Sequence, residues 1–236
     1  MTFKIATVQL PADGFGLATV KEYLQRADDE RVDIICFPEG YLNGYTRGEA
    51  RARNIAIDLS SQKFSEITAS LKDFTTCAII GVIETKDGKL FNTAIVVSEG
   101  KLLGKYRKAH PQEGIFEAGT EYPVFNINGH KFGINICYDA NFPEASLRLA
   151  EQGAEIIFFP LNNVLPIASA EKWRYRHMEN LIQRARETSA WVVSSDVITR
   201  HDQTTGYGCS AIVSPTGEVV EKVQELSEGF VVVELP

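Results

Sequence analysis

Short runs rich in β-branched and aromatic residues recur from one end of the chain to the other, and they restrict the fold more than any other feature. Nine stand out, at residues 3–10, 32–37, 77–84, 93–98, 131–137, 155–160, 191–196, 210–214 and 230–234. Each is short and closes on a turn residue or a charge, as strands do. Several are almost continuously apolar, among them Ile34-Ile35-Cys36-Phe37 and Ile156-Ile157-Phe158-Phe159. A strand reads that way when both of its faces are covered. Helical patterns lie between some of the runs, at 17–31, 60–74, 143–152 and 168–189. The last is the longest and places Trp173, His177, Leu181 and Ala185 on one stripe. Elsewhere turn signals such as Lys86-Asp87-Gly88-Lys89 and Asn128-Gly129 join strand to strand directly. Crossovers and hairpins therefore alternate. The expected fold is α/β, a single-domain α-β-β-α sandwich of two mixed sheets flanked by helices and spanning 1–236.

The 236 residues carry 24 Lys and Arg against 31 Asp and Glu, a net charge of −7. An acidic surface argues against a nucleic-acid binder, which needs clustered cations to displace counterions. Four widely separated cysteines (Cys36, Cys77, Cys137 and Cys209) show neither a C-x-x-C pair nor zinc spacing. Neither a metal nor a disulfide framework is expected, and a reducing, cytoplasmic setting is. The first ten residues are interrupted by Lys4, Thr7 and Gln9, unlike a signal peptide, and no run approaches the roughly 18 apolar residues of a membrane span.

Three residues sit where an apolar run stops. Glu39 follows Ile34-Ile35-Cys36-Phe37-Pro38, so its carboxylate emerges beside the end of a core strand, where α/β sheets form pockets. A solvated turn glutamate would read the same way. Cys137 closes 131–137 and precedes Pro143, a residue suited to the first turn of a helix. A strand–turn–helix elbow presents a nucleophile beside free backbone N–H groups. Buried cysteines are also common as small hydrophobes, which is how Cys36, Cys77 and Cys209 read. Lys108 belongs to the basic cluster Lys105-Tyr106-Arg107-Lys108, either a solvated loop or an ammonium placed to act on a thiol and an oxyanion.

Read in order, Phe37-Pro38-Glu39-Gly40, Tyr106-Arg107-Lys108-Ala109-His110 and Ile136-Cys137-Tyr138-Asp139-Ala140-Asn141-Phe142-Pro143-Glu144 resemble the three motif blocks of the nitrilase superfamily of carbon–nitrogen hydrolases, amidase-like branch. The likeness runs from the first strand, with Gln9 at its end, to Gly206-Tyr207-Gly208-Cys209-Ser210. The resemblance implies a Glu39–Lys108–Cys137 triad that hydrolyses a non-peptide C–N bond of a small linear amide through a thioester, with no cofactor. It implies a further acidic residue after the lysine block, for which Glu113 is the best match and Glu117 the competitor. Nitrile or N-carbamoyl substrates are the alternatives on the same triad. Ala140 and Asn141 stand where many relatives carry an arginine, so a carboxylate clamp from that spot is missing and an acidic carbamoyl substrate is less favoured. The short C-terminus implies a homodimer rather than a larger assembly.

Candidate substrate-binding residues are Tyr138, whose backbone N–H can join the oxyanion site, Tyr45 as a wall, and Asn162 and Asn163 in the loop after 155–160. For the two asparagines, turn chemistry is the competing explanation. A Cys–His hydrolase using His110 or His177 is the nearest rival, and a non-catalytic scaffold on the same fold is a second. Asp13-Gly14-Phe15-Gly16 has Thr19 where a dinucleotide loop needs its third glycine, so it reads as a turn.

Overall fold

The computed structural model describes residues 2–236; Met1, which opens the N-terminal stretch, lies outside them. The first half of the chain runs β1 (Phe3–Pro11), α1 (Leu17–Asp29), β2 (Ile34–Cys36), α2 (Glu49–Ile55), α3 (Gln62–Ala69), β3 (Cys77–Lys86), β4 (Lys89–Ser98) and β5 (Lys101–Arg107). It continues through β6 (Phe125–Ile127), β7 (His130–Ile134), α4 (Pro143–Glu151), β8 (Ile156–Pro160), β9 (Leu165–Pro166), α5 (Ile167–Trp173) and α6 (Arg176–Thr188). The last strands are β10 (Trp191–Arg200), β11 (Thr204–Tyr207), β12 (Ala211–Val213), β13 (Val219–Lys222) and β14 (Gly229–Leu235).

The period-two alternation of the strands sorts their residues into layers. On β1, Phe3 and Ile5 face one core, whereas Ala6, Val8 and Leu10 face another. On β8, Ile156 and Phe158 join Phe3 and Ile5, while Ile157 and Phe159 turn the opposite way. The shared core also takes Ile34, Ile79 and Val96 from one sheet and Phe132, Ile134 and Val193 from the other. It is the seam where two sheets pack face to face. Outside the first sheet, α1 buries Val20, Tyr23, Leu24 and Ala27, the i, i+3, i+4, i+7 stripe of a core-facing helix. Outside the second, α4 and α6 bury Ala145, Leu149, Leu181 and Ala185. Four layers result, helix–sheet–sheet–helix, as expected.

The sheets are not separate, however. They are one hydrogen-bonded path in the order β5-β4-β3-β2-β1-β10-β8-β7-β6. The joint is β10: Trp191–Ser195 pair in parallel with β8, and Asp196–Ile198 pair with Gln9–Pro11 of β1. The expected helix over 168–189 also divides, into α5 and α6, at Arg174–Tyr175. There Arg174 is drawn into an ion pair with Glu225 of the C-terminal segment. The stripe survives in part, because Trp173 and His177 stack across the break at 6.1 Å between ring centroids. The basic cluster is no solvated loop, since Lys105–Arg107 complete β5 against β4 and Lys108 is buried. Among the described residues, no helix is long and apolar enough to cross a membrane.

Parallel strands β2, β7 and β8 deliver their C-terminal ends to one rim, and backbone contacts lock that rim together. Glu39 N–H donates to Leu161 O at 3.1 Å, and Leu161 N–H donates to Ser195 O at 2.7 Å, so the loops after β2 and β8 are tied to β10. Gly81 on β3 lets the turn after β2 pass close by. A Cβ there would lie 2.3 Å from Gly40 N and 2.4 Å from Pro38 O. Gly81→Ala is therefore expected to cost about 1–3 kcal/mol of stability by overpacking against backbone, and to displace Glu39. Urea unfolding of the variant checks the first and its turnover checks the second.

Candidate active site

Glu39 is essentially dry, 1% exposed, and its oxygens have different surroundings. Oε1 accepts from Lys108 Nζ at 2.8 Å and from Asn92 Nδ2 at 2.6 Å. Oε2 is buried with no hydrogen-bond partner. Burial raises the Glu39 pKa above the ordinary glutamate value; the Lys108 charge opposes this and the nearby Glu113 charge adds to it. Lys108, also buried, is held cationic: burial works against its charge, and the carboxylates of Glu39 and Glu113 outweigh that. Its backbone is fixed on both sides, donating to Asn92 O at 2.8 Å and accepting from Gly119 N at 2.9 Å.

Cys137 lies just past β7 and opens a 3₁₀ turn, Cys137–Asn141, that leads into α4. Its φ of 43° is in the left-handed region, which a residue with a side chain occupies only under local constraint. The first turn of such a helix leaves its initial N–H groups without intrahelical partners, and these belong to Cys137 and Tyr138. The Cys137 pKa is pushed well up, first by burial and then by the Glu39 charge, with Lys108 pulling the other way. The resting sulfur is thus a thiol. Desolvation outweighs the ammonium at the sulfur.

Asp139, which sequence reasoning missed, builds the elbow. Its buried carboxylate accepts from Ile136 N at 2.9 Å, from His110 N at 2.8 Å and from Tyr106 Oη at 2.8 Å. His110 Nδ1 lies 3.0 Å from the same carboxylate, and its ring stacks on Phe142 with centroids 3.7 Å apart. The lysine block is thereby fastened to the cysteine block by the residues on either side of Lys108. His110 is bound in this support rather than beside the sulfur. His177 lines the cavity; burial lowers its pKa to about 4, so it is neutral near pH 7.

Lys108, Cys137, Glu113, Tyr45, Tyr138, Asn162 and Asn163 all border one cavity of about 210 Å³. Glu39 lies behind it, reached through Lys108. Glu113 accepts a hydrogen bond from the Tyr45 hydroxyl through Oε1, and its Oε2 is buried without a partner. The competitor Glu117 is exposed and pairs with Lys89 at 3.8 Å. Both asparagines are buried, and Asn163 Oδ1 lies 3.8 Å from Cys137 Sγ, within reach of the S–H. Lining residues missed in the sequence include the apolar Leu161, Trp173 and Leu181 and the polar Arg47, Gln112 and Asn180. Trp173 and Leu181 were visible only as helix-stripe residues, and Arg47 carried no signal. The cavity is small for a ligand pocket and suits a compact molecule.

Residues 4–236 match the family model of the carbon–nitrogen hydrolases. A nitrilase of Pyrococcus abyssi is 31% identical over 225 residues, covering 91% of this chain and 81% of its own. An (R)-stereoselective amidase of Pseudomonas sp. is 27% identical over 192 residues, covering 80% and 68%. Among solved structures, a mutant of the Nesterenkonia AN1 amidase has a TM-score of 0.82 at 20% identity, covering 99% of this chain and 90% of that one. The chain belongs to the carbon–nitrogen hydrolase family of the nitrilase superfamily.

Proposed function

We propose that the protein is an amidohydrolase that cleaves a small linear amide through a thioester on Cys137, with Glu39 and Lys108 completing the triad. The observation that carries this is the unpartnered Glu39 Oε2. A buried carboxylate has one oxygen anchored by Lys108 and Asn92 and the other bare, and Lys108 borders the same cavity as Cys137 at its strained elbow. Such an oxygen is a proton acceptor in waiting.

The chemistry follows from the charges. Glu39 Oε2 takes the thiol proton as sulfur attacks the amide carbonyl, so the S–C bond forms while the carbonyl π pair moves onto oxygen. Lys108 Nζ and the backbone N–H of Tyr138 receive that oxyanion, donors typically worth about 2.7–4 kcal/mol each. When the tetrahedral intermediate collapses, the C–N bond breaks and Glu39 returns its proton to the departing amine. The same carboxylate then deprotonates water for attack on the thioester; the second tetrahedral intermediate collapses with cleavage of the C–S bond, the carboxylic acid product leaves, and Glu39 returns the proton to the Cys137 sulfur. One group serving as base, acid and base again works best with a pKa moved toward neutrality, and burial moves Glu39 in that direction. Glu113 and Tyr45 form a second acid–phenol pair on the cavity wall, placed to orient the amide and the attacking water. The compact cavity and the amidase among the relatives favour amides over bulkier carbamoyl compounds. A nitrile is the second reading, supported by the Pyrococcus abyssi relative.

Cys137→Ala is expected to abolish turnover, and Glu39→Gln to lower kcat by about 10²–10⁴-fold, each with an unchanged far-UV circular dichroism spectrum. Ammonia release from short aliphatic amides and the matching nitriles separates the two substrate readings. Full activity in Cys137→Ala overturns the proposal.

The pH profile has a definite sign. Glu39 must be ionised in the free enzyme, and its pKa is raised, so the acid limb of kcat/KM is expected above the ordinary glutamate value. Activity is lost as the pH falls through that limb. A limb at or below the ordinary carboxylate range counts against Glu39 as the base. Asp139→Asn, which puts an amide where the carboxylate gathers its donors, is expected to destabilise the protein by about 1.5–3 kcal/mol and to slow thioester formation. Thermal melts and stopped-flow acylation test the two effects.

A further inference from the structure

Asp196 is a fully buried carboxylate that the mechanism above does not use. It stands on β10 opposite Gln9 of β1, where β10 leaves one sheet for the other. Three N–H groups converge on it. Oδ1 accepts from the backbone of Asn163 at 3.0 Å and of Val197 at 2.8 Å, and Oδ2 accepts from the Asn163 side-chain NH₂ at 2.8 Å. An ionised carboxylate can only accept, so the NH₂ end of the Asn163 amide must face it. The oxygen end is left pointing the other way, 3.8 Å from Cys137 Sγ.

We propose that Asp196 is a positioning residue: it holds the Asn163 amide with its oxygen toward the thiol of Cys137 and so sets how readily that thiol ionises. The assignment rests on Cys137 being the nucleophile. With Asp196 ionised, a carbonyl dipole and a nearby negative charge both disfavour the thiolate, and the sulfur waits for Glu39. With Asp196 protonated, its O–H can donate to Asn163 Oδ1. The amide then turns, and its NH₂ faces the sulfur as a donor.

The groups around Asp196 leave it free to make this change. From the C-terminal end of α5 and from α6, Arg174 is engaged by Glu225, and His177 is uncharged near neutral pH. From β11 and the segment after it, Tyr207 donates to Glu171 and Cys209 is a buried thiol with a raised pKa. From β1, Gln9 spends its NH₂ on Gln224 O and Ser227 O, at 2.8 and 2.9 Å. Ser210 Oγ accepts from the Asp196 backbone N–H at 2.8 Å, not from its carboxyl. Glu39 lies near enough to raise the Asp196 pKa, and burial raises it more, to about 6.

The test is the pH dependence of Cys137 alkylation by iodoacetamide, read by mass spectrometry, which needs no amide substrate. Asp196→Asn keeps the shape and places an NH₂ where Oδ2 was, which forces the Asn163 oxygen inward. Its alkylation midpoint is expected about one pH unit below that of the parent, a tenfold gain in thiolate at a given pH. In an Asn163→Ala background the same substitution is expected to shift the midpoint by less than half as much. An equal shift in both backgrounds means that Asp196 acts by charge alone and overturns the proposal, as does an unchanged midpoint in the single variant. A purely structural role would lower the melting temperature and leave the midpoint in place. Should Asp196→Asn fail to fold, the parent decides the matter: the ¹⁵N side-chain amide signals of Asn163 must titrate near pH 6, and their constancy from pH 5 to 8 refutes the idea. Lost amide turnover with a normal alkylation response would count against the amidase reading alone.

Discussion

The bond from Lys108 Nζ to Glu39 Oε1, 2.8 Å long with both side chains essentially dry, is the interaction around which the rim of this molecule is organised. Removing two charges from water costs several kcal/mol per ion, and a pair of this kind rarely adds net stability over an apolar replacement. It persists because the structure over-determines both partners. The Glu39 backbone is tied to the loop after β8, the Lys108 backbone is tied to β4 and to Gly119, and Asn92 adds a donor to the shared oxygen. The fold thus holds a bare carboxylate oxygen and an ammonium at fixed positions. Preorganisation of this sort lowers a barrier without further rearrangement.

Cys137 reaches this pair through Asp139. The carboxylate of Asp139 gathers donors from Ile136, just before Cys137, and from Tyr106 and His110 on either side of Lys108. Two motif blocks far apart along the chain therefore meet twice, once where Lys108 and Cys137 border one cavity and once through Asp139. The letters flanking Lys108 and Cys137 are the clamp that fixes their spacing. A hydrogen-bonded carboxylate is well suited to this, since it takes several donors at once and a neutral side chain of similar size takes fewer.

Much of the architecture was legible because period-two alternation and continuous apolar runs are direct consequences of burying two faces of a sheet. The four-layer arrangement and the strand-end placement of Glu39 and Cys137 follow from those patterns. The joint at β10 did not show, because continuity between sheets depends on which edge a strand pairs with, and Trp191–Arg200 reads as one strand either way. Edge elements were lost for a related reason. Val219–Lys222 is mostly exposed and carries charge, so it lacks the apolar signature of the interior strands. The division of the 168–189 helix at Arg174 came from Glu225, a partner 51 residues away. Within the site, Glu39, Lys108 and Cys137 were legible from their positions at run ends and from the order of the blocks. Asp139 and Asp196 were not. A buried carboxylate looks in sequence like any surface aspartate, and only the donors gathered around it show otherwise.

The electrostatics of the cavity explain why burial is the common theme. Burial raises the pKa of Glu39, of Cys137 and of Asp196 alike, which favours a neutral thiol and carboxylates that hold protons more tightly. Lys108 is the exception, kept cationic by the surrounding acids. Raising the Glu39 pKa makes that carboxylate a stronger proton acceptor, raising the Cys137 pKa makes the sulfur a poorer donor, and the Lys108 charge favours the ionised form of each. On the proposed mechanism the proton leaves sulfur, passes to an amine, and a second is then drawn from water. A preformed thiolate would react with any electrophile able to enter. On the proposed mechanism, a thiol that ionises only when Glu39 accepts its proton limits attack to molecules that fill the cavity and bring a carbonyl to Lys108, so the cost of burying these groups becomes selectivity.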